Sequence, residues 1–363
     1  MKSKLLIGIL PIVAVASNLL VSFMGIESFH VYALIAFLTV TSTLGIIIFM
    51  EIDANISLYV AEIIIRHRPS VLRNIFNDKV TFIAGASDGI GAETARQLCA
   101  KTNTTVILMA RTLKKLEKVQ QECESVATKH ASGASVVIVV GDVTKGEQYL
   151  HDVMHKVLKT INKEQIDILF ISAGRAYERQ IELTDMELIR STFELNVMGA
   201  ISTVKAFISV DSTPNIQNKH IILISSLVGK MPTALSAGYS ASKAAVNLFF
   251  DTLRAEYAAS DKHNIRVTTV CPGPVATNIF EASAKAMGEK LDENFYENDL
   301  QNMMTPERAV TLMLAGCVSS PLWMFFELWI APQPLLLFTY INQFFPEIIK
   351  HFASARMKQK RNW

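Results

Sequence analysis

The sequence has little of what would staple it or bind metal. Four cysteines in 363 residues (Cys99, Cys123, Cys271, Cys317) stand far apart, with no CxxC pair and no zinc-site spacing, which argues against a disulfide framework and a metal centre. No basic cluster lies inside the main domain and the net charge is only +2, so nucleic acid is not an expected partner. No segment repeats with a period of 20 to 50 residues and none is low in complexity, which excludes solenoids and arrays. Charge itself is missing from two runs, residues 5–25 and 31–50.

Those runs help to raise the apolar share to 50% and the mean hydropathy to +0.29. Each is long enough to cross a bilayer as a helix. Lys2 and Lys4 would also suit a cleaved signal peptide, but the first run exceeds a usual signal core and a second follows after five residues. Residues 1–50 are therefore expected to be a membrane anchor of one or two transmembrane helices. As a hairpin it would keep Lys2, Lys4, Arg66, His67, Arg68 and Arg73 on the cytoplasmic side and turn the rest of the chain to the cytosol. Asn55 and Asn103 open N-x-S/T triplets, which would carry glycan only in a lumenal orientation.

From Lys79 the pattern changes. Residues 79–85, 105–110, 135–140, 167–172, 220–225 and 266–271 are near-continuous β-branched runs, with helical stretches between them and a last strand candidate at 326–330. Strands buried on both faces and alternating with helices imply an α/β fold, a doubly wound parallel sheet of Rossmann type. The expected division is a linker at 51–78, one catalytic domain at 79–331, and a tail at 332–363 that is apolar and then basic from Arg356. Such a tail suits a membrane surface or a cover over a site.

After the first strand, Gly85, Gly89 and Gly91 follow the spacing GxxxGxG, with Ser87, Asp88 and Ile90 in the same turn. A glycine turn between a buried strand and a helix lets the backbone approach a pyrophosphate closely and aims helix amides at it. At the tip of the second strand Ala110 and Arg111 stand where an NAD site would place a carboxylate, so Arg111 suits the 2′-phosphate of NADP(H). Asp142, with Val143 beside it, follows the third strand and could meet the adenine.

The fifth strand ends in Ser225 and Ser226, and Tyr239 and Lys243 lie 13 and 17 residues beyond Ser226. Positions i and i+4 share a helix face, so the Lys243 ammonium is expected to lie near the Tyr239 phenol and lower its pKa. A phenol tuned this way exchanges a proton with a carbonyl or an alcohol. Ser226, at the carboxyl edge of a parallel strand, can hydrogen-bond the substrate oxygen.

This ordered set resembles the short-chain dehydrogenase/reductase family over about 250 residues. The match continues in Ser172, Ala173 and Gly174 after the fourth strand, Asn196 in a helix, and Pro272, Gly273, Val275 and Thr277 after the sixth. Ala84 and Ser172 replace the family's usual threonine and asparagine. The resemblance implies Tyr239 as acid/base, Lys243 lowering its pKa and holding the ribose, Ser226 orienting the carbonyl, and Asn196 supporting a water path for the proton. It implies that Ser172, Ala173, Gly174, Pro272, Gly273, Val275 and Thr277 contact the cofactor, the last four lining the nicotinamide. Residues 271–279 and 328–340 are also similar to the membrane-bound dehydrogenase/reductase SDR family member 7 group. That likeness implies an endoplasmic-reticulum oxidoreductase of steroid or retinoid carbonyls, and residues 278–304, polar, mixed and without a clear period after the last core motif, are expected to be the substrate lid.

The expected partners are thus NADP(H), a lipophilic carbonyl or alcohol and membrane lipid, with a homodimer compatible. A 3-keto sphingoid base is the rival substrate. A catalytically silent membrane scaffold is the rival from another class, and the presence of all four tetrad residues speaks against it.

Overall fold

Seven short apolar runs of the chain become seven parallel strands because each carries enough Val, Ile, Leu and Phe to be buried on both faces. The structure is a computed structural model that describes residues 62, 63, 67, 70–210, 218–259, 265–286, 303–318, 327–332, 335–344 and 346–347. The strands are β1 (Val80–Ala84), β2 (Thr105–Ala110), β3 (Ser135–Val140), β4 (Ile168–Ile171), β5 (Lys219–Ile224), β6 (Ile265–Pro272) and β7 (Glu327–Ile330). They match the expected runs to within a residue or two. Their order is β3-β2-β1-β4-β5-β6-β7, so the winding reverses between β1 and β4. Ligands of open α/β sheets bind at the carboxyl edge of such a reversal.

The helices are α1 (Ser70–Phe76), α2 (Gly89–Lys101), α3 (Leu113–His130), α4 (Glu147–Thr160), α5 (Met186–Phe193), α6 (Gly199–Ser209), α7 (Ala237–Ala258), α8 (Ile279–Ala286), α9 (Pro306–Val318) and α10 (Leu335–Phe344). Alternate residues of each strand divide between two cores. Ile83 faces a cluster with α1, α2, α3 and α9, while Phe82 and Ala84 face one with α4, α6 and α7. The result is a three-layer sandwich.

One segment differs from expectation, and one falls within the alternatives the sequence allowed. Residues 70–76, expected within the linker, form α1, whose Leu72 and Phe76 are fully buried, and the Phe76 ring stacks 6.3 Å from Phe170. Apolar positions four apart put both side chains on one face, so this stretch packs with the domain. Within the tail, α10 buries Leu336 and Thr339 against the domain. The two N-terminal apolar runs, Asn55 and the basic residues after Arg356 lie outside the described residues. Among the described residues no helix is long and apolar enough to cross a membrane. Asn103 is engaged in the fold, accepting from the Asp78 amide at 2.7 Å and donating to the Asp78 carboxylate at 3.0 Å.

Candidate active site

The turn after β1 is pinned to β2, with the amides of Gly85 and Ala86 both donating to the Met109 carbonyl. Gly85 has φ +89°, and a Cβ there would collide with the Ala173 backbone on β4's far end. A Cβ at Gly91 would strike the Gly85 carbonyl. Two positions of the turn therefore exclude any side chain, which leaves the helix amides of α2 open to a close ligand. Ser87 and Ile90 are half-buried in this turn, and Asp88 caps α2 through the Gly89 amide at 2.8 Å. Burial raises the Asp88 carboxyl, but the Gly89 amide, Asn278 and Lys115 outweigh it and hold the group below its ordinary value. Thr277 lies against Gly89, so the segment after β6 folds over the glycine turn.

Across the switch point, the Ser172 amide donates to Ala84 and brings Ala173 and Gly174 beside the turn. A Cβ on Gly174 would lie 3.4 Å from Asn196 Oδ1 and 3.6 Å from Lys243 Nζ. Asn196 sits in a π-helical turn (Glu194–Met198) between α5 and α6, an irregularity that often marks functional positions. Its amide donates to the Arg175 carbonyl at 2.9 Å and to Ser242 Oγ at 3.0 Å, and its Oδ1 accepts from the Arg175 amide at 2.8 Å. Ser242 in turn donates to the Tyr239 carbonyl. The side chain of Asn196 thus couples the β4 exit to the helix that carries Tyr239.

Ser226 lies at the end of β5, buried, donating to the Pro272 carbonyl at 3.4 Å and accepting from the Val228 amide. Tyr239 and Lys243 are buried on one face of α7. Burial pushes the Tyr239 phenol up to about 12, against a hydrogen bond with Ser226 that lowers it. Burial also pushes the Lys243 ammonium down to about 8, and this group donates to the Ile224 carbonyl at 3.1 Å. The expectation that Lys243 would bring the phenol down is corrected here. Desolvation of both groups dominates, and the influence that lowers the phenol is Ser226.

The remaining expected residues are distributed as follows. Asp142 caps the turn Val143–Lys145 by accepting from the Thr144 amide and hydroxyl, and Val143 is buried under it. Pro272 ends β6 with Gly273 directly after it, and Val275 bridges to Met304, which anchors the far end of the 278–304 segment. Within that segment residues 279–286 are helical, and 287–302 lie outside the described residues. Arg111 is exposed at the tip of β2. Burial and the nearby charge of Arg111 both lower the half-buried Arg175, whose guanidinium donates to Ser191 Oγ at 2.9 Å. Among the described residues neither arginine pairs with a carboxylate, and no cluster of three or more metal-ligating side chains occurs.

Sequence reasoning missed Arg175, Ser242 and Lys115. Ser242 lies inside the Tyr/Lys interval and Arg175 directly follows Gly174, so both had a positional signal. Lys115 gave none, since its ion pair with Asp88, 3.3 Å, is made across the turn.

Chemically, the arrangement combines a backbone turn with two positions that admit no side chain, a buried phenol bonded to the Ser226 hydroxyl, and a buried ammonium on the same face of α7. Residues 79–288 match the short chain dehydrogenase family. The chain is 33% identical over 270 residues to the human protein "Dehydrogenase/reductase SDR family member 7", covering 74% of this chain and 75% of that one. It is 30% identical over 285 residues to "Dehydrogenase/reductase SDR family member 7B" of Xenopus tropicalis, covering 78% and 87%. An alcohol dehydrogenase from Thermococcus sibiricus, solved with 5-hydroxy-NADP, shares the fold with TM-score 0.55 at 23% identity, covering 69% of this chain and 95% of its own. A dehydrogenase/reductase from Sinorhizobium meliloti 1021 shares it with TM-score 0.58 at 20% identity, covering 72% and 96%.

Proposed function

This chain belongs to the short-chain dehydrogenase family, and from that premise we propose that it is a membrane-anchored, NADP(H)-dependent reductase of a lipophilic carbonyl, a steroid or retinoid. Membership makes it an oxidoreductase of alcohol and carbonyl groups with a dinucleotide-binding Rossmann domain. The observation that carries the reading is the contact between Ser226 and Tyr239, a hydroxyl bonded to a buried phenol at the carboxyl edge of the sheet. The reductive direction rests on Arg111, whose place at the tip of the second strand suits the 2′-phosphate of NADP(H).

The site fits the dinucleotide because the positions that would touch its phosphates tolerate no Cβ. The turn from Gly85 to Gly91 would hold the pyrophosphate, Asp142 and Val143 the adenine end, Ser172, Ala173 and Gly174 the floor, and Pro272, Gly273, Val275 and Thr277 the nicotinamide end. When bound, the cofactor supplies the hydride. Arg111, joined by Arg175, supports NADP(H) over NAD(H), since two guanidiniums that repel each other and pair with no carboxylate among the described residues favour a phosphate monoester. Ser226 holds the carbonyl oxygen, Tyr239 gives it a proton, Lys243 holds the ribose, and Asn196 supports the water path that returns the proton. The runs 5–25 and 31–50 support a membrane anchor, the basic residues flanking them a domain facing the cytosol, and the likeness to the dehydrogenase/reductase SDR family member 7 proteins a place in the endoplasmic reticulum.

The test is NADPH oxidation by full-length protein in detergent, with steroid ketones, retinal and 3-ketosphinganine as substrates, an NADH control and Tyr239→Phe. The reading predicts turnover with NADPH that Tyr239→Phe lowers by about 10²- to 10⁴-fold with dinucleotide binding kept. Turnover that survives Tyr239→Phe would overturn the assigned acid. Preference for NADH would overturn the cofactor, and selective turnover of 3-ketosphinganine would reassign the substrate. Release of the membrane-bound protein by alkaline carbonate would overturn the anchor.

A further inference from the structure

Ser226 is bracketed by two backbone segments, and α10 touches both. On one side its hydroxyl accepts from the Val228 amide at the start of the turn Leu227–Gly229. On the other it donates to the carbonyl of Pro272, which leads into Gly273. From α10, the Asn342 and Gln343 side chains donate to the Lys230 carbonyl at 2.9 and 3.3 Å, where the first segment ends. The fully buried Thr339 hydroxyl lies 3.2 Å from the Met231 sulfur. Leu335 packs on Gly273, where an added Cβ would come within 3.2 Å of Leu335 Cδ2.

We propose that α10 is the positioning element for Ser226. Asn342 holds the 227–231 turn, Thr339, whose hydroxyl donates at 2.9 Å to the Leu335 carbonyl of its own helix, adds the longer contact to Met231, and Leu335 holds Gly273, so the Ser226 hydroxyl between them keeps its aim at Tyr239 and the substrate oxygen. The helix reaches Ser226 only through these segments, so Asn342, Thr339 and Leu335 are positioning residues. The placement also fits the chemistry of the neighbouring phenol. The Ser226 hydrogen bond is what lowers Tyr239 against burial, so a loosened turn would let the phenol rise further. The catalytic part of this inference rests on the reading of Ser226 given above, whereas its structural part does not.

The experiment uses the full chain, with Asn342→Leu/Gln343→Leu together so that neither amide replaces the other. Hydrogen exchange at residues 227–231 is expected to accelerate at least tenfold, with exchange in β1 to β4 unchanged. The kcat for carbonyl reduction is expected to fall about tenfold while the dissociation constant for NADPH stays within twofold. In the alcohol-oxidation direction the rising limb of kcat/KM should move to higher pH. Unchanged exchange at 227–231 would overturn the proposal whether or not the protein turns over any substrate. Faster exchange with kcat and pH profile unaltered would equally overturn it, because α10 would then be packing alone. Should the double variant fail to fold, the near-isosteric Thr339→Val reads the same quantities, with about threefold effects expected and unchanged exchange again overturning the idea. A wild-type chain without activity would refute the reductase reading and leave the exchange result to decide this one.

Discussion

Lys243 shows how a side chain proposed for function can oppose stability. Its ammonium is buried with a single backbone carbonyl as hydrogen-bond acceptor, and burial brings its pKa from 10.5 to about 8. Keeping it charged at pH 7 therefore costs on the order of 3 kcal/mol. Folded Lys243 binds fewer protons than unfolded Lys243 between about pH 8 and 10.5, so this cost is fully present below pH 8 and is relieved as pH rises through that window. Lys243→Met should abolish turnover yet leave the melting temperature at pH 7 equal to wild type or higher, as measured by thermal unfolding in detergent. A clear drop would mean that the bond to Ile224 outweighs the burial of charge. At Gly91 the expectation is the reverse, because Gly91→Ala would drive a methyl into the Gly85 carbonyl. Dinucleotide affinity measured by fluorescence titration should fall at least tenfold. That Gly85, Gly91, Ser226, Tyr239 and Lys243 belong to one proposed site was legible in the sequence, because the chemistry ascribed to them depends on short fixed spacings. The direction of the Tyr239 shift was not, since it follows from how much protein covers the ring.

Elements with a strong pattern were read correctly, and elements set by packing were not. The strands declared themselves through β-branched runs because burial on both faces leaves no room for polar alternation. α1 did not, being a single apolar turn or two between charged residues, and its contribution comes from where Leu72 and Phe76 land. Phe76→Ala should cost about 3–5 kcal/mol, read as a shift of the urea midpoint, since the side chain is fully buried and stacked on Phe170. If residues 70–76 were only a linker, the midpoint would stay in place. The π turn that presents Asn196 was likewise invisible, because one extra residue in a helical segment leaves no mark in composition. The identity of Asn196 could be found by its motif, while its partners Arg175 and Ser242 needed the folded backbone.

Across the whole molecule, the acid limit of stability has an identifiable contributor on the sheet. His220 is buried in β5 with Nε2 2.9 Å from Thr268 Oγ1, and burial, aided by the charge of Arg266, pushes it down to about 3. Unfolded, it takes up a proton near 6.5. Between these values the unfolded state holds more protons, so stability falls as pH drops, by up to about 1.4 kcal/mol per pH unit from this group. Denaturant midpoints measured from pH 7 to 4 should fall less steeply for His220→Gln than for wild type, and parallel slopes would show that other groups set the limit. By itself the sequence determined the parallel α/β sheet, the glycine turn and the ordered set from Asn196 to Lys243, because each is written in local periodicity or fixed spacing. Only the tertiary structure decided that Arg175 joins Arg111, that α1 and α10 pack on the domain, and that burial sets the protons on Tyr239, Lys243 and His220. Those features depend on residues far apart in the chain meeting in a water-poor interior, where desolvation outweighs any preference of the isolated side chain.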